Sequence, residues 1–273
     1  MLQMRISLAL FLLISGYGSV ESNGAAPADA TPDSDRASTA SGVHGHSVEI
    51  SDGRITEIVN AVMKEQYGDE FNTKYSCWEF SAEFDGHALN YCMKPGPAKL
   101  EDTKTGKQLY VRADNVADIS GDSRYEYSQI DPGRMGVFNL RIEDDGSWAY
   151  LAADKAMAFG TVGYCGCDQA KLVRLSNDGV HGWMFASGGV WQGIVVSHHS
   201  IVAPLDGVFM DISAIPEIPE DKQAIKYEIT VEATVGDGFF PLQVTKFRSG
   251  KRLEEFILNF DTESSRYSLP GSE

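Results

Sequence analysis

The sequence predicts a β-dominated fold, all-β or nearly so, in which antiparallel sheets form a sandwich or a barrel-like structure beside one N-terminal amphipathic helix. Apolar and polar residues alternate at period two in most segments after Tyr75, a pattern typical of strands that bury one face. Asp-Gly dipeptides, which favour tight hairpin turns, lie at the ends of these segments or between them. Strands that follow one another without intervening helices pair antiparallel, so these patterns together predict the fold class.

The composition excludes two classes of protein. The chain of 273 residues has 23 Lys and Arg residues against 39 Asp and Glu residues, a net charge of −16, and this charge opposes binding to the phosphates of a nucleic acid. Hydrophobic residues make up 42% of the chain, which is ordinary for a globular protein. The sequence has one extended apolar segment, near its start, and this segment is shorter than a membrane-spanning helix, so a polytopic membrane protein is not predicted.

Residues 1–20 have the pattern of a cleaved secretory signal peptide, whose end lies between Gly18 and Gly24. The basic residue Arg5 precedes an apolar segment at 6–14, and small residues follow where a signal peptidase cleaves. The alternative is an uncleaved anchor helix, but a spanning helix needs roughly 20 apolar residues. We therefore predict an exported protein, periplasmic or extracellular.

Residues 21–47 are predicted to form a flexible leader, because small and polar residues dominate them and few side chains can be buried. His44 and His46 in this leader are a weak candidate for metal binding, since they offer two ligands on a flexible segment. Residues 48–273 follow as a single β-rich domain. A subdivision near residues 215–222 is the alternative, but the part after it has only about fifty residues, which is marginal for an independent core.

Residues 51–67 have the spacing of one amphipathic helix. Ser51 or Asp52 can cap its start, and Gly68 can end it in a left-handed conformation. Because this helix must bury its apolar face, we expect it to pack on the sheet formed by the strands that follow. The apolar residues recur at i, i+3, i+4, i+7 and i+8 and so share that face: Ile55, Ile58, Val59, Val62 and Met63.

The clearest strand is predicted for residues 225–235, where alternation from Ile225 to Val235 places one face on a core and the other in water. The same alternation at 138–142 places Phe138 on a core and Asn139 in water. Hairpin turns are expected at the Asp-Gly dipeptides at 85–86, 145–146, 178–179, 206–207 and 237–238. Shorter strands are predicted near 77–84, 89–93, 109–112, 171–175, 183–185, 190–196, 208–212, 239–247 and 253–260.

Four cysteines predict disulfides, because an exported chain meets an oxidising compartment. Three pairings are open. If residues 85–86 form a two-residue hairpin loop, Cys77 and Cys92 lie diagonally on one face with about 7–8 Å between their Cα atoms. A bulge or a slipped register would bring them within the range for a disulfide. The four are Cys77, Cys92, Cys165 and Cys167.

Cys165 and Cys167 flank a single glycine, which is an unusual spacing. Gly166 permits the bend that a disulfide within this tripeptide needs. One interpretation is a redox-active pair, since strained disulfides exchange more readily. The other is a static bridge, or a bridge from each cysteine to Cys77 or Cys92, and it is favoured because the Cys-x-x-Cys context of thioredoxin-like sites is absent from the sequence.

An acidic segment at residues 118–126 carries four oxygen-bearing side chains that suit a hard cation: Asp118, Ser120, Asp122 and Glu126. This segment resembles the calcium loop of FG-GAP/VCBS-type repeats, which runs Asp-x-Asp/Asn-Gly-Asp-Gly and continues to an acidic residue. The resemblance implies calcium binding by these four side chains and by the carbonyl oxygen of Arg124. The alternative is an acidic surface turn. No cofactor is predicted to be required, and calcium is the one candidate.

Trp183 and Trp191 lie in an aromatic stretch in which Gly188 and Gly189 are predicted to form the turn. Both tryptophans are candidates for binding a sugar or a protein partner, because Trp is enriched at binding hot spots. The alternative is that they fill a β core, where aromatic residues are common.

The sequence favours a binding protein over an enzyme. The chain lacks Gly-x-Ser-x-Gly, His-Glu-x-x-His and the glycine-rich phosphate loops, and adjacent histidines such as His198 and His199 point to opposite faces of a strand. We predict a non-enzymatic binding or inhibitory protein that acts through its acidic surface on a protein or cell-envelope partner, basic in charge. The alternatives are a hydrolase whose site is assembled from scattered side chains, and a calcium-stabilised structural module.

Overall fold

Strands dominate the computed structural model, which describes residues 50–117, 119, 121–220 and 224–271. These residues form one α-helix and three sheets in which the strands pair antiparallel, with one short parallel pair. The predicted β-dominated class with an N-terminal helix is therefore confirmed. The predicted signal peptide at 1–20 and leader at 21–47 lie outside the described residues.

Helix α1 (Asp52–Tyr67) forms where the periodicity predicts it. The Ser51 hydroxyl accepts a hydrogen bond from the backbone N–H of Arg54 and so caps one of the free donors of the first turn. Gly68 ends the helix at a φ of +90°, and its N–H donates to the carbonyl oxygen of Lys64. The buried face of α1 consists of Ile58, Val59, Val62, Met63 and Tyr67.

Three sheets contain the strands, and none of them closes into a barrel within the described residues. The first sheet has the order β1-β2-β3-β5-β6-β7 with β4 beside β5, the second has the order β16-β12-β10-β9-β8 with β11 beside β10, and the third has the order β13-β14-β15. The first sheet contains β1 (Phe71–Asn72), β2 (Cys77–Phe84), β3 (His87–Pro95), β4 (Lys99–Thr103), β5 (Gly106–Asn115), β6 (Gly133–Ile142) and β7 (Trp148–Phe159). The second contains β8 (Lys171–Arg174), β9 (His181–Trp191), β10 (Ile194–Leu205), β11 (Val208–Asp211), β12 (Ser213–Ile218) and β16 (Tyr267–Ser268), and the third contains β13 (Ile225–Val231), β14 (Leu242–Arg248) and β15 (Lys251–Leu258).

The helix and the sheets stack as layers, because successive residues of a central strand face opposite sides. In β5, Leu109 belongs to the cluster that the first sheet forms with α1. Its neighbour Tyr110 faces away and packs in a second cluster with Trp183 of the second sheet. On the other side of the second sheet, Ile201 shares a third cluster with Leu242 of the third sheet. Most of the hydrophobic core thus lies in three interfaces, and a smaller fourth cluster contains Cys77, Cys92 and Tyr125.

The prediction that Asn139 faces water is wrong, because both faces of strand β6 are covered. This residue is 4% exposed, because α1 covers one face of β6 and the second sheet covers the other. Its Nδ2 donates to Oε1 of Gln108 at 3.0 Å. A buried amide is tolerated when it has such a partner, so a polar residue within a central strand does not mark the solvent face here.

The predicted turn at Gly188 and Gly189 is wrong. Strand β9 continues through both glycines, and the turn lies at residues 192–193. Glycine is required at the two positions for close packing, since a Cβ at Gly188 would overlap the carbonyl oxygen of Val196 and a Cβ at Gly189 would overlap the side chain of Thr161. The two glycines therefore mark close approach of neighbouring segments, not a reversal of the chain.

Two of the predicted Asp-Gly turns form two-residue hairpin loops. Asp85 and Gly86 join β2 to β3, and Asp206 and Gly207 join β10 to β11, all with positive φ, as turns of this length require. The predicted strand at 225–235 is shorter than expected, because its ladder with β14 ends at Val231. No helix in the described part of the chain combines the length and the apolar character needed to cross a membrane.

Candidate functional site

A disulfide between Cys77 and Cys92 joins β2 to β3, which confirms the first predicted pair. The two Cα atoms are 5.4 Å apart. The hairpin has the predicted register, with Phe84 opposite His87, and it keeps this register up to the pair of Trp78 with Met93. The disulfide therefore forms at the end of the ladder, and the slipped register or bulge considered for a diagonal pair is not needed.

A second disulfide joins Cys165 to Cys167, with 5.2 Å between the Cα atoms. Gly166 lies between them at a φ of +74°, and a Cβ on it would overlap the carbonyl oxygen of Ala186 in β9. Only glycine satisfies both conditions. The tripeptide is thus held tightly against the second sheet, and no cysteine in the described residues is free.

The segment that carries this disulfide connects β7 to β8 and is fixed by hydrogen bonds on both sides. Asn115 Nδ2 donates to the carbonyl oxygen of Gly163 at 2.8 Å. The N–H of Gly163 donates to the carbonyl oxygen of Asp131 at 2.9 Å. Since these partners belong to the first sheet and to the loop before β6, the tripeptide has a defined position relative to the end of β5.

A pocket of about 360 Å³ opens beside the tripeptide, and we call it the disulfide pocket. Cys165 and the half-exposed Tyr164 line it on one side, and Asp114 and Lys94 line it on the other. One carboxylate oxygen of Asp114 and the sulfur atoms of both cysteines lie within 4.8 Å of one another. A buried carboxyl group therefore adjoins a disulfide at the wall of an accessible pocket.

Arg112 organises the charges beneath the disulfide. Its guanidinium donates to the carbonyl oxygens of Cys167, Asp168 and Ala170, at 3.2 Å for the last two. The same group forms an ion pair of 3.1 Å with Asp114. Burial nevertheless raises the pKa of Asp114 to about 6, because the loss of hydration outweighs the attraction of Arg112 and the carboxylate of Asp168 repels.

The disulfide pocket is not a metal site in this oxidation state. A metal ion bound here would need thiolate ligands, and the two sulfur atoms are bonded to each other. Only the Asp114 carboxylate then remains as a charged donor among the three grouped side chains. The chemistry that this arrangement offers is thiol–disulfide exchange with a nearby proton donor.

A second pocket, of about 590 Å³, lies between the first two sheets and is called here the acidic pocket. Its ionisable side chains come from three strands: Asp154 of β7, His198 of β10 and Asp211 of β11. Burial raises the pKa of Asp211, although Oδ1 of its carboxylate accepts hydrogen bonds from the backbone of Ile201 and Ser213. No lysine or arginine lines this pocket among the described residues.

His198 also contacts a serine, but the three groups do not form a nucleophilic triad. Ser187 Oγ lies 2.9 Å from His198 Nε2, and Asp211 Oδ2 lies 3.9 Å from the same nitrogen. A triad needs the carboxylate on the other ring nitrogen. Ser187 is also 2% exposed, so its hydroxyl is not presented to a substrate.

The predicted calcium ligands are only partly described. Asp118 and Ser120 lie outside the described residues, and Glu126 is exposed. Asp122 is engaged by Arg124, whose side chain donates to both carboxylate oxygens, and by the hydroxyl of Tyr75. These hydrogen bonds hold the pKa of Asp122 well below its usual range. The calcium interpretation stays a prediction, and a bound ion would have to compete with Arg124.

The two tryptophans that sequence reasoning singles out have different outcomes. Trp183 is 3% exposed and packs in the cluster between the first and second sheets, which favours the core interpretation for this residue. The side chain of Trp191 lies outside the described residues. Ile130 of the acidic pocket is half-exposed, and so are Val162 and Val190, the last of which is linked to the loop of Ile130 by Gln129.

Sequence reasoning missed Asp114, Asp154 and Asp211. Asp114 had a usable signal, since Arg112 and Asp114 directly follow the apolar run at 109–111 and flank the apolar residue Ala113. Charges in such a position are costly to bury unless they are paired. Asp154 and Asp211 had none, because single carboxylates in exposed-looking strands are common in a chain with 39 of them.

Comparison of the chain with protein-family models, with curated proteins and with solved structures gave no match. The geometry of the two pockets is therefore what bears on the function of this chain.

Proposed function

We propose that this chain is an exported, non-enzymatic binding or inhibitory protein that holds a basic protein partner through the acidic pocket. The observation that carries the proposal is the charge of the lining: Asp154 and Asp211 with His198, and no cationic side chain among the described lining residues. The chain as a whole has the same sign, with a net charge of −16. Such a field attracts a cationic partner and orients it before contact.

The walls of the acidic pocket suit a lysine or arginine side chain of the partner. Phe84, Ile130 and Met157 provide apolar surface, while Asp154 and Asp211 provide the carboxylates. A long basic side chain buries its methylene stem against apolar atoms and keeps its charged end beside a carboxylate. A pocket with both kinds of surface is therefore complementary to such a side chain.

The apolar surface beside the pocket supplies further contact area. Val190 is tied to the loop of Ile130, because Gln129 Nε2 donates to the carbonyl oxygen of Val190 at 3.0 Å. Val162, next to Thr161 at Gly189, lies in the same region. Protein interfaces commonly combine an apolar centre with a charged surround, so this arrangement fits a protein partner better than a small ion.

Export is part of the proposal, since two disulfides persist in an oxidising compartment and not in a reducing one. The predicted signal peptide supports the same location, in the periplasm or outside the cell. Cationic cell-wall hydrolases are a class of basic protein that an acidic inhibitor would meet there.

The test is calorimetric titration of the exported protein with a panel of purified cationic cell-wall hydrolases and with acidic proteins of similar size. We expect binding only to cationic proteins, weakened by salt. The double variant Asp154→Asn/Asp211→Asn should lose this binding. Each asparagine keeps one oxygen, so it can still accept the backbone hydrogen bonds that Ala156 and Ile201 donate to these carboxylates.

The matched control is Asp144→Asn/Asp206→Asn, which removes the same charge from two exposed positions outside the acidic pocket. Retained binding in this control together with loss in the pocket variant supports the proposal. Equal loss in both variants would assign the effect to net charge alone, and equal binding to the acidic proteins would refute a basic partner.

Hydrolysis is a second candidate function, favoured by the position of His198. Its side chain is 44% exposed and lies 3.9 Å from a carboxylate of raised pKa, which suits a general base. Turnover of an ester, glycoside or peptide substrate that is lost in His198→Gln would favour this candidate. No turnover by the wild type leaves the binding function.

A further inference from the structure

We propose that Cys165 and Cys167 form a redox-active pair that oxidises a dithiol substrate in the disulfide pocket, with Asp114 as the proton donor and acceptor. This site is separate from the acidic pocket, and it shares none of the lining residues named for that pocket. The inference does not depend on binding at the acidic pocket, and it replaces the non-enzymatic part of the proposed function with a redox activity at a separate site.

Access to the disulfide selects the sulfur that reacts. Both cysteines are buried, but Cys165 lines the disulfide pocket and is 4% exposed, whereas Cys167 is 0% exposed and does not line it. A substrate thiol entering the 360 Å³ space beside the half-exposed Tyr164 therefore meets Cys165 first. Exchange requires attack by a thiolate on one sulfur and departure of the other, so Cys165 is the attacked sulfur and Cys167 is the leaving group.

The first step transfers the bond to the substrate. One thiolate of the substrate attacks Cys165 Sγ, the bond between Cys165 and Cys167 breaks, and a mixed disulfide forms between substrate and Cys165. The Asp114 carboxyl group gives its proton to the departing sulfur of Cys167, within the 4.8 Å that separates these groups.

The second step releases the product. The Asp114 carboxylate takes the proton of the second substrate thiol, which attacks the substrate sulfur of the mixed disulfide. Cys165 leaves as a thiolate and takes a proton from water. The substrate has lost two electrons and two protons and holds a disulfide, and the protein holds two thiols. A low-molecular-weight disulfide returns the pair to the oxidised state by the reverse exchange.

The backbone and the charged groups around the pair suit these steps. The N–H of Cys167 donates to Cys165 Sγ at 3.2 Å, and a hydrogen bond of this kind stabilises the thiolate of Cys165. Oδ1 of Asp114 is buried with no hydrogen-bond partner in the described part of the chain, which leaves it free for proton transfer. The titratable and charged groups that face Asp114 are Arg112, Lys94, Asp168, Tyr164 and Tyr67.

A purely structural role accounts less well for this disulfide. Cross-links stabilise a fold mainly by restricting the unfolded chain, and the effect grows with the length of the closed loop. Cys165 and Cys167 are two residues apart, whereas Cys77 and Cys92 are fifteen apart. The short bridge therefore restricts the unfolded chain very little.

The first test uses the two disulfides of one molecule as each other's control. The native protein is treated with dithiothreitol, the thiols are alkylated, and the labelled peptides are identified by mass spectrometry. We expect label on Cys165 and Cys167 and none on Cys77 and Cys92, with an unchanged far-ultraviolet circular dichroism spectrum. Simultaneous labelling of all four, or unfolding as Cys165 is reduced, would overturn the proposal.

The second test measures turnover with a synthetic peptide that contains two cysteines, with glutathione disulfide as the oxidant. We expect faster oxidation of the peptide with wild-type protein than with Cys165→Ser/Cys167→Ser. Asp114→Asn should slow the reaction about 100-fold, because it removes the proton relay, and should remove the pH dependence near 6. Asp144→Asn, at an exposed position outside the pocket, should react as the wild type does.

A wild-type rate equal to that of the serine variant would refute redox activity. An Asp114→Asn rate and pH profile equal to those of the wild type would remove Asp114 from the proposal. The Asp154→Asn/Asp211→Asn variant should retain full exchange activity, so failure of the binding proposal and failure of this one are distinguishable.

Discussion

Asp114 and Arg112 form an ion pair of 3.1 Å between Oδ2 and Nη2, while the second carboxylate oxygen of Asp114 is buried and has no hydrogen-bond partner among the described residues. One oxygen is thus stabilised in its charged state and the other is only desolvated. The balance favours the protonated form, and the pKa of Asp114 rises from its ordinary value of 3.8 to about 6.

Because its pKa is raised in the folded state, Asp114 lowers the free energy of unfolding by an amount that depends on pH. The folded state binds the proton of Asp114 more tightly than the unfolded state, so the contribution of this group to stability is greatest below about pH 4 and falls as the pH rises towards 6. The loss amounts to about 3 kcal/mol above pH 6, from a shift of about two pKa units. Asp114→Asn should remove this dependence, as measured by urea unfolding between pH 3.5 and 7.5. A difference between the two proteins that stays constant over this range would contradict the assigned pKa.

Removal of each disulfide should have unequal effects on stability. Cys77→Ala/Cys92→Ala opens a loop with a sequence separation of 15, which should cost about 3 kcal/mol, whereas the two-residue separation of Cys165 and Cys167 predicts a loss of about 1.5 kcal/mol on the same loop-entropy relation. All four cysteines are buried, so cavity effects are similar in both variants. Urea unfolding without reductant measures the two losses. An equal or greater loss for the short bridge would contradict the loop argument.

The contact between Gly136 and Tyr67 predicts that substitutions at these two positions have non-additive effects on stability. A Cβ at Gly136 would overlap the Tyr67 hydroxyl, which donates to the carbonyl oxygen of Lys155 at 2.8 Å. Gly136→Ala should therefore destabilise the fold by about 1–3 kcal/mol, the usual cost of overpacking. In a Tyr67→Phe background the same substitution should cost less, because the overlapping oxygen is gone. Additive losses in thermal or urea unfolding would show that the hydroxyl is not the obstacle.

A calcium ion bound by the Asp122 carboxylate would have to displace the Arg124 side chain, so the calcium interpretation predicts that Arg124→Ala binds calcium more tightly than the wild type. At a calcium concentration 100 times Kd, binding stabilises the fold by about 2.7 kcal/mol, which corresponds to roughly 5–10 °C in Tm for a domain of this size. Melting curves in millimolar calcium and in EDTA measure the effect, with Asp122→Ala as the control. Absence of a calcium-dependent shift in both wild type and Arg124→Ala would leave the loop as a surface turn.

The sequence by itself determined the features that depend on neighbours along the chain. Helix α1 begins at the Ser51 cap and ends at Gly68, because capping and positive φ are properties of single residues in their local context. The Asp85-Gly86 turn set the register of β2 with β3, and the register brought Cys77 near Cys92. Turn chemistry and alternation contain this information within a few residues.

Tertiary packing decided which faces are buried. Strand β7 (Trp148–Phe159) was not predicted because alanine recurs in it and Asp154 and Lys155 lie in its middle, and these residue types favour strands only when neighbours pack against them. Asn139 is buried because a layer covers each face of β6. Alternation along one strand does not reveal how many layers will cover it.

Only the tertiary structure decided where the candidate sites are. Asp114 comes from the end of β5 and the Cys165–Cys167 pair from the segment after β7, while Asp154, His198 and Asp211 come from three different strands. Their proximity depends on the order of strands within each sheet and on which sheets face one another. The alternation of apolar and polar residues along a strand is the same whatever the order of the strands in the sheet. It therefore does not predict which side chains, distant in sequence, will line the same pocket.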